Sequence, residues 1–202
     1  GRDIVEAGIS LQVNTLVTAD TLGDLPAIHR VVEYLGAERW SLFFLITTGR
    51  GQTLRQIAPA QADAVMNWAL DFGRSRPLVT TTEAPHYRRI ELMPRPASPA
   101  ASAHGRRSTM RGLGIRDGNG VMFISHTGEV QPSGFLPLTA GNVRTEGALQ
   151  IYRDSALFKG LRHTESFTGR CGSCPFRDIC GGSRARAYAA TGNPLDSDPL
   201  CS

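Results

Sequence analysis

The chain has 202 residues, room for one ordinary domain or two small ones, and its 41% hydrophobic content suits a packed core and argues against disorder. No apolar run reaches the ~18 residues of a membrane-spanning helix. No secretory signal is visible, and the opening Gly1-Arg2-Asp3 without methionine leads us to expect sequence upstream. The net charge of +4 rests almost entirely on arginine, Lys159 being the only lysine. These arginines are scattered without interleaved aromatics, which argues against nucleic-acid binding.

Residues 10–17 (SLQVNTLV) read as a buried strand, with Asn14 and Thr15 as polar interruptions near its end. Asp24 is placed to cap a helix entered through Pro26, and Ile28, Val31, Val32 and Leu35 recur at helical spacing until Gly36. Trp40 to Ile46 is a second continuous apolar strand, followed by a turn over residues 47–51. Ala62, Val65, Met66, Ala69 and Leu70 mark a second amphipathic helix that Gly73 ends, and Leu78 to Thr82 is a third strand. This alternation predicts βα units and a parallel sheet covered on at least one face. Ligands bind such sheets at the carboxyl ends of the strands. That directs attention to Asn14 and Thr15, to the Gly49-Arg50-Gly51 turn, and to Glu83 and His86.

Residues 92–112 are rich in Pro, Ala, Ser, Arg and Gly, lack periodicity, and read as a linker or loop. Val121 to Ser125 and Glu129 to Gln131 predict a short hairpin, and Leu149 to Leu161 a helix. The four cysteines then follow as C-x2-C-x5-C-x20-C: Cys171, Cys174, Cys180 and Cys201. Four thiolates in one segment can complete the coordination of one inorganic centre, zinc or iron–sulfur. A core of this size does not need disulfide staples, so a reducing cytoplasm and metal ligation are expected. The five-residue gap before Cys180 and the glycines at 172, 181 and 182 favour iron–sulfur. Small residues let backbone N–H groups approach cluster sulfurs.

Several phrases together carry a resemblance: NTLVT at 14–18, FFLITTGRG at 43–51, TEAPHYRR at 82–89, SGFLPLTAGNVR at 133–144 and CGSCPFRDICGGSRARAYAATG at 171–192. They resemble the C-terminal part of a radical S-adenosylmethionine (SAM) protein with a SPASM-type auxiliary-cluster domain. The branch that matches best makes haem by the alternative route, or haem d1. The resemblance implies an α/β fold. Residues 1–91 would form the second half of a partial (β/α)6 radical SAM barrel and 92–117 a flexible linker. Residues 118–202 would form a small cysteine-rich SPASM-like domain with a β-hairpin, its auxiliary [4Fe–4S] cluster on Cys171, Cys174, Cys180 and Cys201. It also implies that Asn14 and Thr15 lie near the ribose or carboxylate of SAM, that Leu45, Ile46 and Gly49 pack near its adenine, and that Glu83 and His86 face the reaction chamber.

The C-x3-C-x2-C triplet that holds the catalytic cluster of such enzymes is absent from this sequence. The first half of the barrel and a second [4Fe–4S] cluster are therefore expected in the full-length protein, and this chain alone is not expected to cleave SAM. Ser133 stands where many SPASM domains have a cysteine after the hairpin, and Arg184 where the cysteine block usually ends in another. Four sulfurs remain, enough for one cluster, which fits the tetrapyrrole branch. The implied chemistry is hydrogen abstraction by a 5′-deoxyadenosyl radical from an anionic substrate such as a tetrapyrrole. The C-terminal cluster would accept or relay an electron, and ferredoxin or flavodoxin would be the donor. Arg50, Arg88, Arg184 and Arg186 are candidates to hold substrate carboxylates. Two alternatives stay open: a radical SAM peptide maturase, and a zinc-stabilised binding module.

Overall fold

The computed structural model describes residues 1–72, 77–93 and 114–202. Gly73 and residues 94–113 of the expected linker lie outside these described residues. Two compact units emerge. One holds residues 1–45, the described part of 54–110, and Ser202; the other holds 46–53 and the described part of 111–201.

In the first unit a short helix, α1 (Arg2–Glu6), precedes three parallel strands: β1 (Gln12–Val17), β2 (Arg39–Phe44) and β3 (Leu78–Thr82), in the order β1-β2-β3. Helices α2 (Leu25–Tyr34) and α3 (Pro59–Phe72) connect them. The register runs from Gln12↔Arg39 to Val17↔Phe44, and from Arg39↔Leu78 to Phe43↔Thr82. Side chains alternate along a strand, so register decides which face each takes. Thr15, Val17, Trp40, Leu42, Phe44 and Val79 share one face and are all buried. Gln12, Asn14 and Leu16 share the other with Ser41, Thr80 and Thr82; here Gln12, Asn14 and Leu16 are exposed.

The buried face lies under the helices. The Trp40 ring is 5.4 Å from His29 of α2 and 5.8 Å from Trp68 of α3. Its Nε1 donates to Thr15 Oγ1 at 2.8 Å. That bond satisfies an indole N–H whose burial without a partner would cost about 1–3 kcal/mol.

The helices differ from the periodicity in instructive ways. Asp24 occupies the N-cap of α2 but makes no side-chain cap bond. A 3-10 turn over Leu22–Asp24 runs straight into the helix, so Asp24 already has helical dihedrals (φ −87°, ψ −13°) rather than the extended backbone a capping side chain needs. The buried residues of α2 are Leu25, His29 and Val32, while Val31 is exposed. His29 turns the helix, because its ring stacks on Phe72 at 4.2 Å within the aromatic cluster. In α3 the buried residues are Ala62, Val65, Met66 and Ala69, with Leu70 half-buried. Helix α4 (Tyr87–Leu92) was not visible in the periodicity; at six residues it buries only Tyr87 and Ile90.

In the second unit β4 (Phe123–Ile124), β5 (Glu129–Gln131) and β6 (Gly141–Asn142) form an antiparallel sheet in that order. The hairpin matches the expectation; β6, two residues long, leaves no period to read. The expected helix 149–161 is two helices, α5 (Ala148–Asp154) and α6 (Ala156–Arg162). Ser155 divides them: its backbone is extended (φ −63°, ψ 142°) and its side chain accepts from Phe158 N–H at 3.3 Å, a serine cap in place of a helical turn. Two short helices, α7 (Gly169–Ser173) and α8 (Arg184–Thr191), lie within the cysteine segment. The core of this unit joins Ile46, Leu136, Leu161 and Ala185 in one cluster and Val130, Ile151 and Phe158 in another. Arg116 and Asp117 are buried here, and Asp117 Oδ2 accepts from Ala185 N–H at 2.9 Å. The unit therefore begins before residue 118, inside the stretch expected to be linker. Among the described residues no helix is long and apolar enough to cross a membrane.

Candidate functional site

The cysteine segment is built by local chain turns. Cys171 lies within α7, and Cys174 is its C-cap with extended dihedrals (φ −73°, ψ 131°), so the first two thiols come from one turn. The chain then tightens: Cys180 N–H donates to Phe176 carbonyl at 2.8 Å. Gly181 and Gly182 both have positive φ (67° and 63°) and turn the chain into α8. Ser183 caps α8, its Oγ accepting from Arg186 N–H at 3.2 Å. Gly182 has a second constraint: a Cβ there would lie 3.0 Å from Cys171 Sγ and 2.9 Å from Asp198 Cβ.

All four cysteines are free thiols, two buried (Cys171, Cys180) and two half-buried (Cys174, Cys201). Three of the sulfurs accept backbone N–H groups at 3.4 Å: Cys174 from Phe176, Cys180 from Gly182 and Cys171 from Asp198. Burial pushes the Cys180 thiol up from 9.0 to about 12; the Gly182 N–H pulls it down, while the negative charges of Cys201, Asp198 and Cys171 push it further up. Cys171, Cys180 and Cys201 thus lie within electrostatic range of one another. Cys174 is not among the charges that act on Cys180. Among the described residues no group of three or more His, Cys, Asp or Glu side chains is gathered so as to hold a metal ion.

Asp198 is the hub that the sequence did not reveal. It is 1% exposed, its carboxylate accepts from Ser183 N–H at 2.8 Å and Leu200 N–H at 3.0 Å, and it pairs with Arg186 at 2.8 Å. Its own N–H serves Cys171. An aspartate in a Ser-Asp-Pro turn has no periodicity; its only signal is its place three residues before Cys201. Arg186 is 1% exposed and held by this carboxylate, while Arg184 is fully buried and donates to the carbonyls of Pro194 (3.0 Å) and Asp196 (2.7 Å). Neither guanidinium is open to a substrate carboxylate, which corrects the expectation for both. Arg50 is exposed and Arg88 half-buried. Ser133, at the place of the missing cysteine, is buried, and its Oγ accepts from Phe135 N–H at 3.3 Å.

The residues expected near SAM divide. β1 runs on to Val17, so Asn14 and Thr15 lie mid-strand rather than at its carboxyl end. Asn14 is on the open face, in register with Ser41, which in turn pairs with Thr80. Thr15 is on the opposite, helix-covered face and is bonded to Trp40. Ile46 is buried in the core of the second unit. Gly49 is exposed at the start of a 3-10 turn, with φ 52°. Glu83 follows β3 directly and is the only described non-glycine residue with positive φ, at 57°. Such strain concentrates at functional sites. His86 is fully buried, its ring 6.2 Å from Phe44.

No protein-family model matches the chain. An AdoMet-dependent heme synthase of Nitratidesulfovibrio vulgaris is 40% identical over 202 residues, spanning 98% of this chain and 55% of that protein. A pre-heme d1 synthase of Dinoroseobacter shibae is 28% identical over 217 residues, spanning 99% and 53%. Over nearly its whole length the chain is similar to these haem-synthesis proteins. It spans about half the length of the curated relatives it matches. Its fold is shared with Streptococcus suis SuiB bound to S-adenosylmethionine, with a TM-score of 0.66, 16% identity, and coverage of 100% of this chain and 47% of that one.

The cysteines are side chains of the type that ligates zinc or iron–sulfur centres, but as folded here they are not gathered around one ion. No disulfide joins them, and the sulfurs of Cys171, Cys174 and Cys180 accept backbone N–H groups, which favour thiolate sulfur. A thiol as buried as Cys180 ionises only when a cation compensates it, and ligation by a metal supplies that compensation.

Proposed function

We propose that this chain is part of a radical SAM oxidoreductase that modifies an anionic tetrapyrrole. In this reading Cys171, Cys174, Cys180 and Cys201 hold an auxiliary [4Fe–4S] cluster within a SPASM-like domain, in a reducing, cytoplasmic setting. The cluster would accept or relay one electron. The chain's own part is to bury the sulfurs, to direct N–H groups from Phe176, Gly182 and Asp198 at them, and to exclude water. The observation that carries the reading is this set of free, hydrogen-bonded thiols in a chain 40% identical to a heme synthase.

The three βα units supply the second half of a partial barrel, and the open face bearing Asn14, together with Glu83, lines the SAM side. Thr15 and Ile46 then act at one remove, as packing residues. The rest of the barrel, with the catalytic cluster and SAM, comes from the full-length protein, which draws electrons from a ferredoxin or flavodoxin.

Anaerobic iron, sulfide and zinc analysis of the purified chain, with electron paramagnetic resonance after reduction, tests this. About four irons and four sulfides per chain are expected. One zinc and no sulfide, persisting through iron reconstitution, would leave a structural module and end the electron-transfer reading. With reductant and SAM, the chain alone is expected to form no 5′-deoxyadenosine.

A further inference from the structure

Residues 116–120 read Arg-Asp-Gly-Asn-Gly and hold the chain's one Asp-Gly and one Asn-Gly pair; the other asparagines, Asn14, Asn67, Asn142 and Asn193, precede Thr, Trp, Val and Pro. Asparagine is a thermolabile side chain, and a following glycine, without a Cβ, leaves its amide carbon open to the next backbone nitrogen. The fold demands these glycines. Gly118 and Gly120 have φ of 72° and 79°, and a Cβ on Gly120 would stand 3.2 Å from Ile115 Cγ1. The fold also occupies the reacting groups. Asp117 is 5% exposed, its Oδ2 accepts from Ala185 N–H at 2.9 Å, and Gly118 N–H donates to the Pro132 carbonyl at 3.0 Å. Asn119 Nδ2 donates to the Gly114 carbonyl at 2.8 Å, and Gly120 N–H donates to Tyr152 Oη at 2.9 Å. The first pair is closed in the core. The second is not, since Asn119 and Tyr152 are half-buried and Gly120 is exposed.

We infer that Asn119 is a site of spontaneous deamidation, held in check by the bond from Gly120 N–H to Tyr152. When that bond opens, the Gly120 nitrogen attacks Asn119 Cγ. A C–N bond forms there, the bond from Cγ to Nδ2 breaks, and Nδ2 leaves as ammonia with the proton of the attacking nitrogen. One water then opens the cyclic imide at either carbonyl and gives aspartate or isoaspartate; nothing is oxidised or reduced. The product cannot restore the turn. A carboxylate oxygen replaces the Nδ2 donor opposite the Gly114 carbonyl, acceptor against acceptor. Isoaspartate also adds a carbon to the backbone beside the paired residues Arg116 and Asn119, whose N–H groups donate to each other's carbonyls at 3.0 and 2.9 Å. Arg116 in turn lies against the cysteine turn, where a Cβ on Gly181 would stand 2.8 Å from its Cδ. The lesion is therefore one side chain away from the residue that follows Cys180.

The test is peptide mapping by mass spectrometry of the full chain and of Tyr152→Phe during incubation at mildly alkaline pH, with folding of both followed by circular dichroism. In the unaltered chain, conversion is expected at Asn119 ahead of the other asparagines. In Tyr152→Phe it is expected to run about two- to tenfold faster, the factor that one net hydrogen bond supplies. Equal rates in the two folded chains overturn the inference. Should Tyr152→Phe not fold, the unaltered chain decides, because Asn119 is then expected to convert more slowly in the folded chain than in urea. An equal rate in both overturns the restraint by the fold. No conversion at Asn119 even in urea overturns the site itself.

Discussion

Gly182 carries two demands that an alanine cannot meet together. Its φ of 63° belongs to the left-handed region, which costs an L-residue about 1–2 kcal/mol. A Cβ would also stand 2.5 Å from Arg184 Nη2, 2.9 Å from Asp198 Cβ and 3.0 Å from Cys171 Sγ. Both Asp198 and Arg184 are anchored by several hydrogen bonds, so neither can retreat freely, and overpacking of this kind adds about 1–3 kcal/mol. Gly182→Ala is therefore expected to destabilise by roughly 2–5 kcal/mol and to reduce iron loading. Gly192 is the internal control. It ends α8 with φ 76°, yet a Cβ there meets nothing within 4 Å, so Gly192→Ala should show the backbone cost alone, about 1–2 kcal/mol. Urea unfolding of both variants, compared at equal slope, isolates the crowding around Cys171. The reasoning is refuted if Gly182→Ala is no less stable than Gly192→Ala and loads iron fully.

Asp198→Asn removes the buried carboxylate that pairs with Arg186 and should cost about 3–5 kcal/mol in urea denaturation; a loss below 1 kcal/mol would mean the pair is dispensable. In the metal-free chain the Cys180 thiol is raised in the folded state to about 12 from 9.0. The folded state then binds a proton that the unfolded chain releases, so this contribution to stability is complete below pH 9 and is lost as pH rises from about 9 towards 12. Cys180→Ala should flatten the fall as pH rises above 9 towards 12, and an unchanged slope would count against it. Glu83→Gly relieves a positive φ and should raise thermal stability by roughly 1 kcal/mol, whereas Glu83→Ala should not. Equal melting of all three chains would show that Glu83 is unstrained.

The parallel strands and the helices between them were legible because apolar runs and helical faces are written in neighbouring residues. Leu78–Thr82 is both the expected strand and the observed one. Short elements were not: α4 and β6 are too brief to complete a period, and Ser155 divides a helix through one local bond that periodicity averages away. The cysteines were legible as a candidate centre because ligand chemistry resides in side-chain type and spacing.

Other assignments depended on partners far away in the chain. Thr15 and Asn14 are adjacent in sequence, but register against β2 places one under Trp40 and the other on the open face. Arg184 and Arg186 read as surface cations able to grip a substrate, since arginine is usually exposed. Only the folded second unit shows them at 0% and 1% exposure, one on Asp198 and the other on Cys171. The sequence by itself determined which atoms could ligate, which longer segments would be strands, and which family the chain resembles, because these are properties of residues and near neighbours. The tertiary structure alone decided which charges meet, since burial and pairing join Cys171 to Arg184 across 13 residues and to Asp198 across 27. No local pattern encodes that electrostatic balance.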